Sequence, residues 1–447
     1  MNKIIEAIPP PPLYYSASDT SYWRSDESGK WIRVNESSAK NYIAEFAYSK
    51  SAMNGGNSEV ERCLLAIQSK RNVSYVGPLA GYPAGLHEMA NNLVLVTTGP
   101  KWITPKSGKW PVLEKLITGL FVDDDLDQRP YFFGWLKFAR SSLTRREWRA
   151  SQLFAMAGQV GSGKSLLQLL ITEALGGRSV KPYQFMMGQT AFNSHLFKGE
   201  HLALEDENEA IDIRSRRHFA ANIKTLLANR DQNCHGKNRE ALTLQPLWRM
   251  TLTVNDDPER LLVLPPFDAD VRDKIICLKA CKVAMPMKTG TDEEKALFWK
   301  TLMSELPAFL SFIDQYTVPA SLQDGRYGIA AYQHPTIIEK IQETTPEMKL
   351  LELIDVGLFV GEVLKIAWEG TAGDLERILR DRENKVCHEA ARLFSYHNAA
   401  GSYLARLRDS DAEWAKGRVK SRKVHGNTVW TIEPTKKPTS PIQSKLK

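Results

Sequence analysis

Apolar residues recur along this chain with two different spacings. In the segments that start at Val112 (VLEKLITGLF) and Tyr131 (YFFGWLKFARSSL) they lie three and four positions apart, which predicts helices. Residues 153–157 (LFAMA) instead form a short unbroken apolar run, typical of a buried strand in a parallel sheet. A similar run at residues 201–204 and an alternating one at 250–254 predict two further strands. The middle of the chain therefore has an α/β pattern.

The two ends of the chain follow other patterns. A proline run at residues 9–12 precedes aromatic segments that indicate short strands and turns, which predicts a small separate domain. Residues 370–432 predict a helix, a longer helical stretch and a two-stranded hairpin, the order of elements in a winged-helix domain. Beyond residue 434, Pro, Ser, Thr and Lys dominate without apolar periodicity, so the tail is expected to be disordered.

The patterns divide the chain into six segments. They are a small N-terminal α+β accessory domain, a helical collar, an α/β core domain, a helical linker region, a winged-helix domain and a disordered basic tail. Their expected boundaries are 1–105, 106–150, 151–288, 289–345, 346–434 and 435–447.

Composition narrows the class of protein. A length of 447 residues favours several domains, and 43% hydrophobic with 25% charged residues is ordinary for a folded protein. The net charge of +7 permits a polyanionic partner. Five cysteines without paired spacing disfavour disulfides and a zinc site, which favours a reducing cytoplasm. No apolar run reaches the roughly 18 residues of a membrane span, so no membrane partner is expected.

A glycine-rich loop follows the first apolar run. Residues 158–165 (GQVGSGKS) match the complete pattern G-x-x-x-x-G-K-[ST], with a strand predicted before the loop and a helix after it. In such a loop backbone N–H groups converge on phosphate, while Lys164 neutralises the β- and γ-phosphates and Ser165 offers its hydroxyl to Mg²⁺. The residues expected to bind ATP are Gly158, Gln159, Val160, Gly161, Ser162, Gly163, Lys164, Ser165 and Leu166. The loop alone does not distinguish a kinase, a GTPase, a transporter and a motor.

Polar residues end the next two predicted strands. Residues 201–204 lead into Glu205, Asp206 and Glu207, and one acid is expected to hold Mg²⁺ while its neighbour polarises the attacking water. We expect Glu205 and Asp206 to take these roles, with Glu207 as the third choice. Asn255 ends the run at 250–254 and can hydrogen-bond the γ-phosphate or orient water. A plain turn is the alternative for Asn255, because Asp-Asp-Pro follows it.

Several of these segments together resemble a known family. GQVGSGKS, GQTAFNSHLF with HLALEDE, the stretch from LQPLWRMTLTVNDDPERLLVLPP to DADVRDKI and, more weakly, PLAGYPAGL are similar to superfamily 3 helicases. The similarity is to the phage and plasmid primase-helicase family, related to the poxvirus enzyme, and covers roughly residues 75–285. It implies an AAA+ type ATPase core in a homo-hexameric ring, with nucleotide between subunits and single-stranded DNA in the central pore.

The same resemblance implies roles for basic residues. A loop between the acidic and Asn-tipped strands carries bases into the pore in such rings, and His235, Lys237 and Arg239 occupy that place. A basic residue shortly after the Asn strand reaches the neighbouring subunit's γ-phosphate. Arg272 and Lys274 are the candidates for this trans-acting finger and Arg260 is the third, since Arg-Asp-Lys stands here where relatives have paired arginines.

The predicted C-terminal hairpin is strongly basic. Residues 416–423 contain five bases and no acid, and a turn at 425–427 would form the tip of a wing. Lys420, Arg422 and Lys423 are therefore expected to contact duplex DNA, with a solvated basic face as the alternative.

The first 150 residues are too few for a priming domain plus the collar, so a separate primase or host replication proteins are possible partners.

The sequence as a whole favours an ATP-dependent DNA helicase of phage or mobile-element replication, acting in the cytoplasm of a bacterial host. The alternative is an origin-binding initiator ATPase that recruits a host helicase. A DNA-packaging ATPase would normally carry a nuclease domain with clustered acids, which the sequence does not indicate.

Overall fold

A computed structural model of the chain describes residues 12–52, 56–124, 126–205, 213–237, 239–258, 260–265, 267, 269–282, 284–343, 345–359, 366–409, 415–424 and 426–434. The chain divides into two units, Met1–Ile337 and Ile338–Lys447. Asp206, Glu207, the expected wing tip at His425 and the tail at 435–447 lie outside the described residues.

The first unit begins with a three-stranded antiparallel sheet that two helices cover. The elements are β1 (Leu13–Ser16), β2 (Ser21–Ser25), β3 (Trp31–Val34), α1 (Glu36–Ala44) and α2 (Glu59–Lys70). Helix α2 begins at a capping box in which Ser58 and Glu61 satisfy each other's backbone N–H groups. Leu13, Tyr22 and Ile43 lie in the core between sheet and helices.

A second small sheet follows and docks onto the core of the unit. Its strands are β4 (Tyr75–Gly77), β5 (Gly85–Met89) and β6 (Asn92–Val96), in the order β4-β6-β5. The Ala80 N–H donates to the carbonyl of Phe197 at 2.8 Å, and the Gly81 N–H donates to the carboxylate of Glu200 at 2.8 Å. Residues 1–105, expected as one accessory domain, thus contain two separate sheets.

The collar segment contains two long helices. The elements are α3 (Pro111–Phe121), β7 (Val122–Asp123), β8 (Leu126–Asp127) and α4 (Arg129–Arg145). The buried faces of α3 and α4, with residues such as Leu116, Phe132 and Leu136, belong to the main hydrophobic core of the unit. The periodicity at Val112 and Tyr131 therefore predicts these helices correctly.

A six-stranded parallel sheet forms the centre of the unit. The elements after α4 are β9 (Leu153–Gly158), α5 (Lys164–Ala174), β10 (Ser179–Val180), α6 (Tyr183–Met186), β11 (His201–Leu204), α7 (Ile213–Ala228), β12 (Gln232–Cys234), β13 (Leu242–Leu244), β14 (Arg249–Val254), α8 (Ala269–Arg272) and β15 (Ile275–Ala280). They are followed by α9 (Asp292–Gln315), β16 (Gln323–Asp324), β17 (Gly328–Ile329), β18 (Tyr332–Gln333) and α10 (Pro335–Glu343).

The strand order of this sheet is β10-β11-β14-β9-β15-β18, and every neighbouring pair is parallel. All six residues of β9 and all six of β14 are buried. Burial explains the apolar run of β9. Strand β14 begins with a buried charged residue, Arg249, whose side chain donates to the Trp248 carbonyl. Helix α9, from the segment expected as a helical linker, packs on α3, α4 and α5, and β18 from the same segment completes the sheet. The fold is mixed α/β, as the sequence predicts.

Helices around the sheet are tied together by buried polar groups. The Arg140 side chain on α4 is 2% exposed, donates to the Ala174 carbonyl at the end of α5 at 2.7 Å, and pairs with Asp314 on α9. The Glu305 carboxylate on α9 accepts from the N–H groups of Val112 and Leu113 and so caps α3. These contacts fix the collar helices against the sheet.

The second unit is smaller and has its own core. After α11 (Pro346–Gly357) come β19 (Trp368–Thr371), α12 (Ala372–Leu379), α13 (Cys387–Leu393), α14 (Ala399–Arg408), β20 (Val419–Val424) and β21 (Asn427–Ile432). The three strands form an antiparallel sheet in the order β19-β21-β20. The longer helical stretch expected from the sequence is two helices, because the backbone leaves the helical conformation at Phe394 and α14 begins only after Asn398, which adopts φ 63°.

Candidate active site

The glycine-rich loop connects β9 to α5 at the carboxyl edge of the parallel sheet. Gly158 ends β9, and a Cβ at this position would lie 2.1 Å from the Ala280 carbonyl oxygen on β15, so only glycine fits. Gly161 and Gly163 have φ of +76° and +102°, a region that favours glycine. Three glycines thus give the loop the conformation that directs backbone N–H groups inward.

Lys164 lies at the start of α5 with its side chain only 7% exposed. Its ammonium donates to the carbonyls of Gly158 at 2.6 Å and Gln159 at 2.8 Å, and it lies 3.4 Å from the Ser162 hydroxyl. It also lies 3.4 Å from the side-chain oxygen of Asn255. The structure therefore brings together the loop lysine and the residue that ends the third predicted strand.

The expected nucleotide-binding residues differ in their surroundings. Val160 is 72% exposed, and Gln159, Gly161 and Ser165 are also exposed to solvent. Leu166 packs instead against the main hydrophobic core of the unit, so its side chain anchors the helix. Only its backbone can take part in binding phosphate.

The acidic strand lies two strands away from the loop strand, since β14 stands between β9 and β11. Glu205 directly follows β11 at the same carboxyl edge and forms an ion pair with Lys181 at 3.2 Å. The Gln168 side chain on α5 donates to the Leu204 carbonyl at 2.9 Å, which ties the end of β11 to the loop helix. Parallel strands thus place Glu205, Asn255 and the loop at one edge.

The donors at this edge suit a magnesium ion. Ser165 offers a hydroxyl at the start of α5 and Glu205 offers a carboxylate at the end of β11, and Mg²⁺ prefers such oxygen ligands. The second expected carboxylate, Asp206, lies outside the described residues. Among the described residues, no cluster of three or more His, Cys, Asp or Glu side chains could hold a metal by itself.

The candidate finger residues lie at the opposite edge of the sheet. Arg272 ends α8 and Lys274 precedes β15, whose first residue is paired with Leu153 at the start of β9. Six residues of strand separate that end from Gly158, which corresponds to about 17 Å. Neither side chain can therefore reach the loop of its own subunit.

The two candidates differ in their partners. The Lys274 ammonium pairs with Asp273 at 2.6 Å and is 13% exposed, whereas Arg272 is exposed and meets Gln333 at 3.3 Å. This difference favours Arg272 as the residue available to another molecule. Arg260, the third candidate, begins a short 3-10 helix beyond Asn255, at the carboxyl edge.

The candidate pore residues lie on the connection between β12 and β13, which pair as an antiparallel hairpin. The Asn193 side chain accepts from the His235 N–H at 2.7 Å, and the imidazole of His235 lies 5.2 Å from the Phe192 ring. Lys237 and Arg239 are exposed, whereas Gly236 is buried. The hairpin therefore presents two of the three expected bases to solvent.

The bases of the C-terminal hairpin have acidic partners from distant parts of the sequence. Arg418 pairs with Asp355 on α11, and both side chains are largely buried, at 16% and 10% exposure. Lys420 pairs with Glu433, and Arg422 pairs with Glu369 on β19. Lys423 is exposed. The surface is thus less positive than the local sequence indicates, and Arg418 is a structural residue.

Sequence reasoning missed one buried polar group beside the site. His201 on β11 is fully buried and lies 2.7 Å from both the Thr172 and Thr251 hydroxyls. Burial lowers the pKa of His201 from 6.5 to about 3, so the imidazole is neutral. The only signal in the sequence is a set of polar residues inside runs that are otherwise apolar.

No family model and no curated protein matches the chain. Two apo structures of the NrS-1 C-terminal region match 95% of this chain and 96% of their own at 12–13% identity, with TM-scores of 0.55 and 0.54. The chain therefore shares the fold of that region.

Two proteins with helicase names match at lower scores. The JCV helicase gives a TM-score of 0.26 at 14% identity over 54% of this chain and 69% of its own. The active helicase Cch of SCCmec type IV gives 0.30 at 10% identity over 89% and 72%. Scores at this level are too low to support a common fold.

In the described part of the chain, no helix has the length and apolar character needed to cross a membrane.

Proposed function

We propose that this protein is an ATP-dependent DNA helicase of superfamily 3, serving the replication of a phage or mobile element. The observation that carries the proposal is the convergence of Lys164 and Asn255 at the carboxyl edge of the parallel sheet, at 3.4 Å. Their strands β9 and β14 are neighbours, and β11 with Glu205 follows. The arrangement supports hydrolysis, because phosphate, metal and water ligands all lie at one edge.

Each residue at this edge has a distinct role in the proposed reaction. The N–H groups of the loop and the start of α5 bind the phosphates of ATP, and Lys164 compensates their negative charge. Ser165 and one of the two carboxylates of Glu205 and Asp206 would hold Mg²⁺, which neutralises phosphate charge when bound. The remaining carboxylate accepts a proton from the attacking water, and Asn255 orients that water or the γ-phosphate.

In a ring of subunits, a basic residue from the neighbouring subunit would complete the active site. Arg272 lies about 17 Å from its own loop along the strand direction, so it can serve only a loop of another subunit. An AAA+ hexamer with nucleotide between subunits provides that neighbour, and the finger stabilises charge that develops on the γ-phosphate. Arg272 is the proposed finger, because Lys274 is already paired with Asp273.

Two basic surfaces would contact DNA. Lys237 and Arg239, with His235, sit on the β12–β13 hairpin and would grip the phosphates of single-stranded DNA in the pore. The order of helices and strands in the second unit supports a winged helix, in which α14 would read duplex DNA and Lys423 would lie on the wing. Lys420 and Arg422 would exchange their carboxylate partners for phosphates.

Phosphate release and unwinding of a forked duplex by the purified full-length protein test the proposal. Wild type should hydrolyse ATP faster with single-stranded DNA and should separate the fork. Lys164→Ala should lower kcat about a hundredfold or more, since one preorganised charge is lost. Lys115→Ala, an exposed lysine on α3, is the matched control and should keep wild-type activity.

Hydrolysis by Lys164→Ala within a few-fold of wild type would contradict the assignment of the loop. Hydrolysis by wild type without unwinding would contradict the helicase and point to an initiator that recruits another motor.

A further inference from the structure

Four buried polar side chains join the loop helix to two strands of the sheet. Gln168 and Thr172 lie on α5, His201 on β11 and Thr251 on β14, and none is more than 8% exposed. A buried polar group is costly unless it is hydrogen-bonded, so the direction of each bond can be assigned by counting donors and acceptors. None of the four has a role in the reaction proposed above.

The directions of the hydrogen bonds follow from the Gln168 backbone carbonyl, which can only accept, and from the neutral imidazole of His201, which carries one hydrogen. The Thr172 hydroxyl lies 3.2 Å from the Gln168 carbonyl, which can only accept, so Thr172 is the donor there. Its oxygen then accepts at 2.7 Å from Nδ1 of His201, which must carry the hydrogen. Because the imidazole is neutral, Nε2 bears no hydrogen and accepts from the Thr251 hydroxyl at 2.7 Å.

The bonds close into a ring that begins and ends on one residue. The Gln168 amide nitrogen donates to the Thr251 oxygen at 2.8 Å, and its second hydrogen goes to the Leu204 carbonyl at 2.9 Å. The Gln168 side-chain amide therefore donates to Thr251, Thr251 donates to His201, His201 donates to Thr172, and Thr172 donates to the Gln168 backbone carbonyl, which accepts. The four bonds of the ring run in one consistent direction.

The ring connects the three elements that carry the proposed active site. Gln168 follows Lys164 by one helical turn on α5, and Leu204 directly precedes Glu205. Thr251 lies four residues before Asn255 on β14. One amide group thus fixes the spacing between the loop helix, the acidic residue and the residue that contacts Lys164.

We infer that Gln168, Thr251 and His201 are positioning residues, which hold Glu205 and Asn255 at a fixed distance from the phosphate-binding loop. This inference rests on the proposed ATP hydrolysis. A side chain that acts in this way affects the alignment of water and metal ligands at the γ-phosphate more than it affects binding of the nucleotide. A shift of about 1 Å in such a group costs on the order of a hundredfold in rate.

The pair Thr251→Val and Thr251→Ser tests the inference. Valine keeps the shape of threonine and removes the hydroxyl, whereas serine keeps the hydroxyl. We expect Thr251→Val to lower kcat about tenfold or more, with the dissociation constant for a fluorescent ATP analogue within about twofold of wild type. Thr251→Ser should recover most of the rate. Equal kcat in wild type and Thr251→Val, or parallel losses of binding and rate, would overturn the positioning role.

A spectroscopic measurement tests the hydrogen-bonded ring on wild-type protein and does not depend on ATP hydrolysis. Nitrogen-15 spectra of histidine-labelled protein should contain one neutral ring with hydrogen on Nδ1, assigned to His201 by its loss in His201→Gln. A charged imidazole of His201 at about pH 6, or a neutral one with its hydrogen on Nε2, would overturn the assigned directions of the hydrogen bonds. Wild type without ATPase activity would contradict the proposed function, whereas the spectra would still decide the ring.

Discussion

Lowering the pH from about 7.5 to about 5 should remove part of the contribution that the neutral His201 makes to the stability of residues 1–337. Burial between Thr172 and Thr251 lowers the pKa of this imidazole from 6.5 to about 3. At pH 7.5 the side chain is neutral in both states. Below pH 6.5 the unfolded chain binds a proton that the folded chain does not bind, so stability is lost as the pH falls through 6.5.

The magnitude follows from the two pKa values. At about pH 5 the unfolded chain has bound nearly one proton more, and the free energy of unfolding falls by about 2 kcal/mol relative to pH 7.5. The loss continues with falling pH until the folded imidazole itself begins to protonate near pH 3. Because this group is fully buried, its contribution is not screened by solvent.

Pulse proteolysis in urea measures the effect, because fragment sizes separate unfolding of residues 1–337 from that of residues 338–447. His201→Gln removes the titrating group, so the stability difference between wild type and variant isolates it from other titrations. We expect wild type to lose about 2 kcal/mol relative to the variant between pH 7.5 and pH 5. A difference that stays constant across this range would refute the reasoning.

Three further predictions concern the proposed ring of subunits and the second unit. Mixing Arg272→Ala subunits with Lys164→Ala subunits should restore part of the ATPase activity, because a mixed interface can pair an intact loop with an intact finger; no recovery in rings shown to mix would contradict a composite site. Arg418→Met should lower the free energy of unfolding of residues 338–447 by about 2 kcal/mol, measured by the same proteolysis, since Asp355 loses its partner. Lys423→Met should leave stability unchanged and reduce the log–log salt slope of duplex DNA binding by about 0.9; an unchanged slope would show a merely solvated base.

Elements with a strong local pattern are predictable from this sequence. The apolar run at 153–157 corresponds to β9, the alternating run at 250–254 lies in β14, and the helical spacing at Val112 and Tyr131 corresponds to α3 and α4. In each case the pattern depends only on neighbours in the chain and on burial of one strand or helix face. The approach of Asn255 to Lys164 also follows, since parallel strands end at a common edge.

Features that depend on distant residues are not predictable in this way. Residues 416–423 contain no acid, yet Asp355, Glu369 and Glu433 supply carboxylates once the chain folds. No local pattern reveals that Arg418 is a structural residue. The sequence indicates only weakly that Gln168 is buried, because the residue is the single polar position in the apolar stretch LLQLL. A buried amide must find partners, but the sequence does not say which ones.

The contacts of residues 79–81 with the sheet bear on how the protein can be shortened for biochemical work. Strand β10 is the edge of the six-stranded sheet, and Arg178 beside it donates to the carbonyls of Leu79 and Thr98 while it pairs with the buried Glu200. A recombinant fragment that starts near residue 73 keeps this cover. One that starts at residue 106 would remove the backbone partner that Ala80 gives to Phe197 and Leu247 and would expose these two buried apolar residues, and exposed apolar surface promotes aggregation.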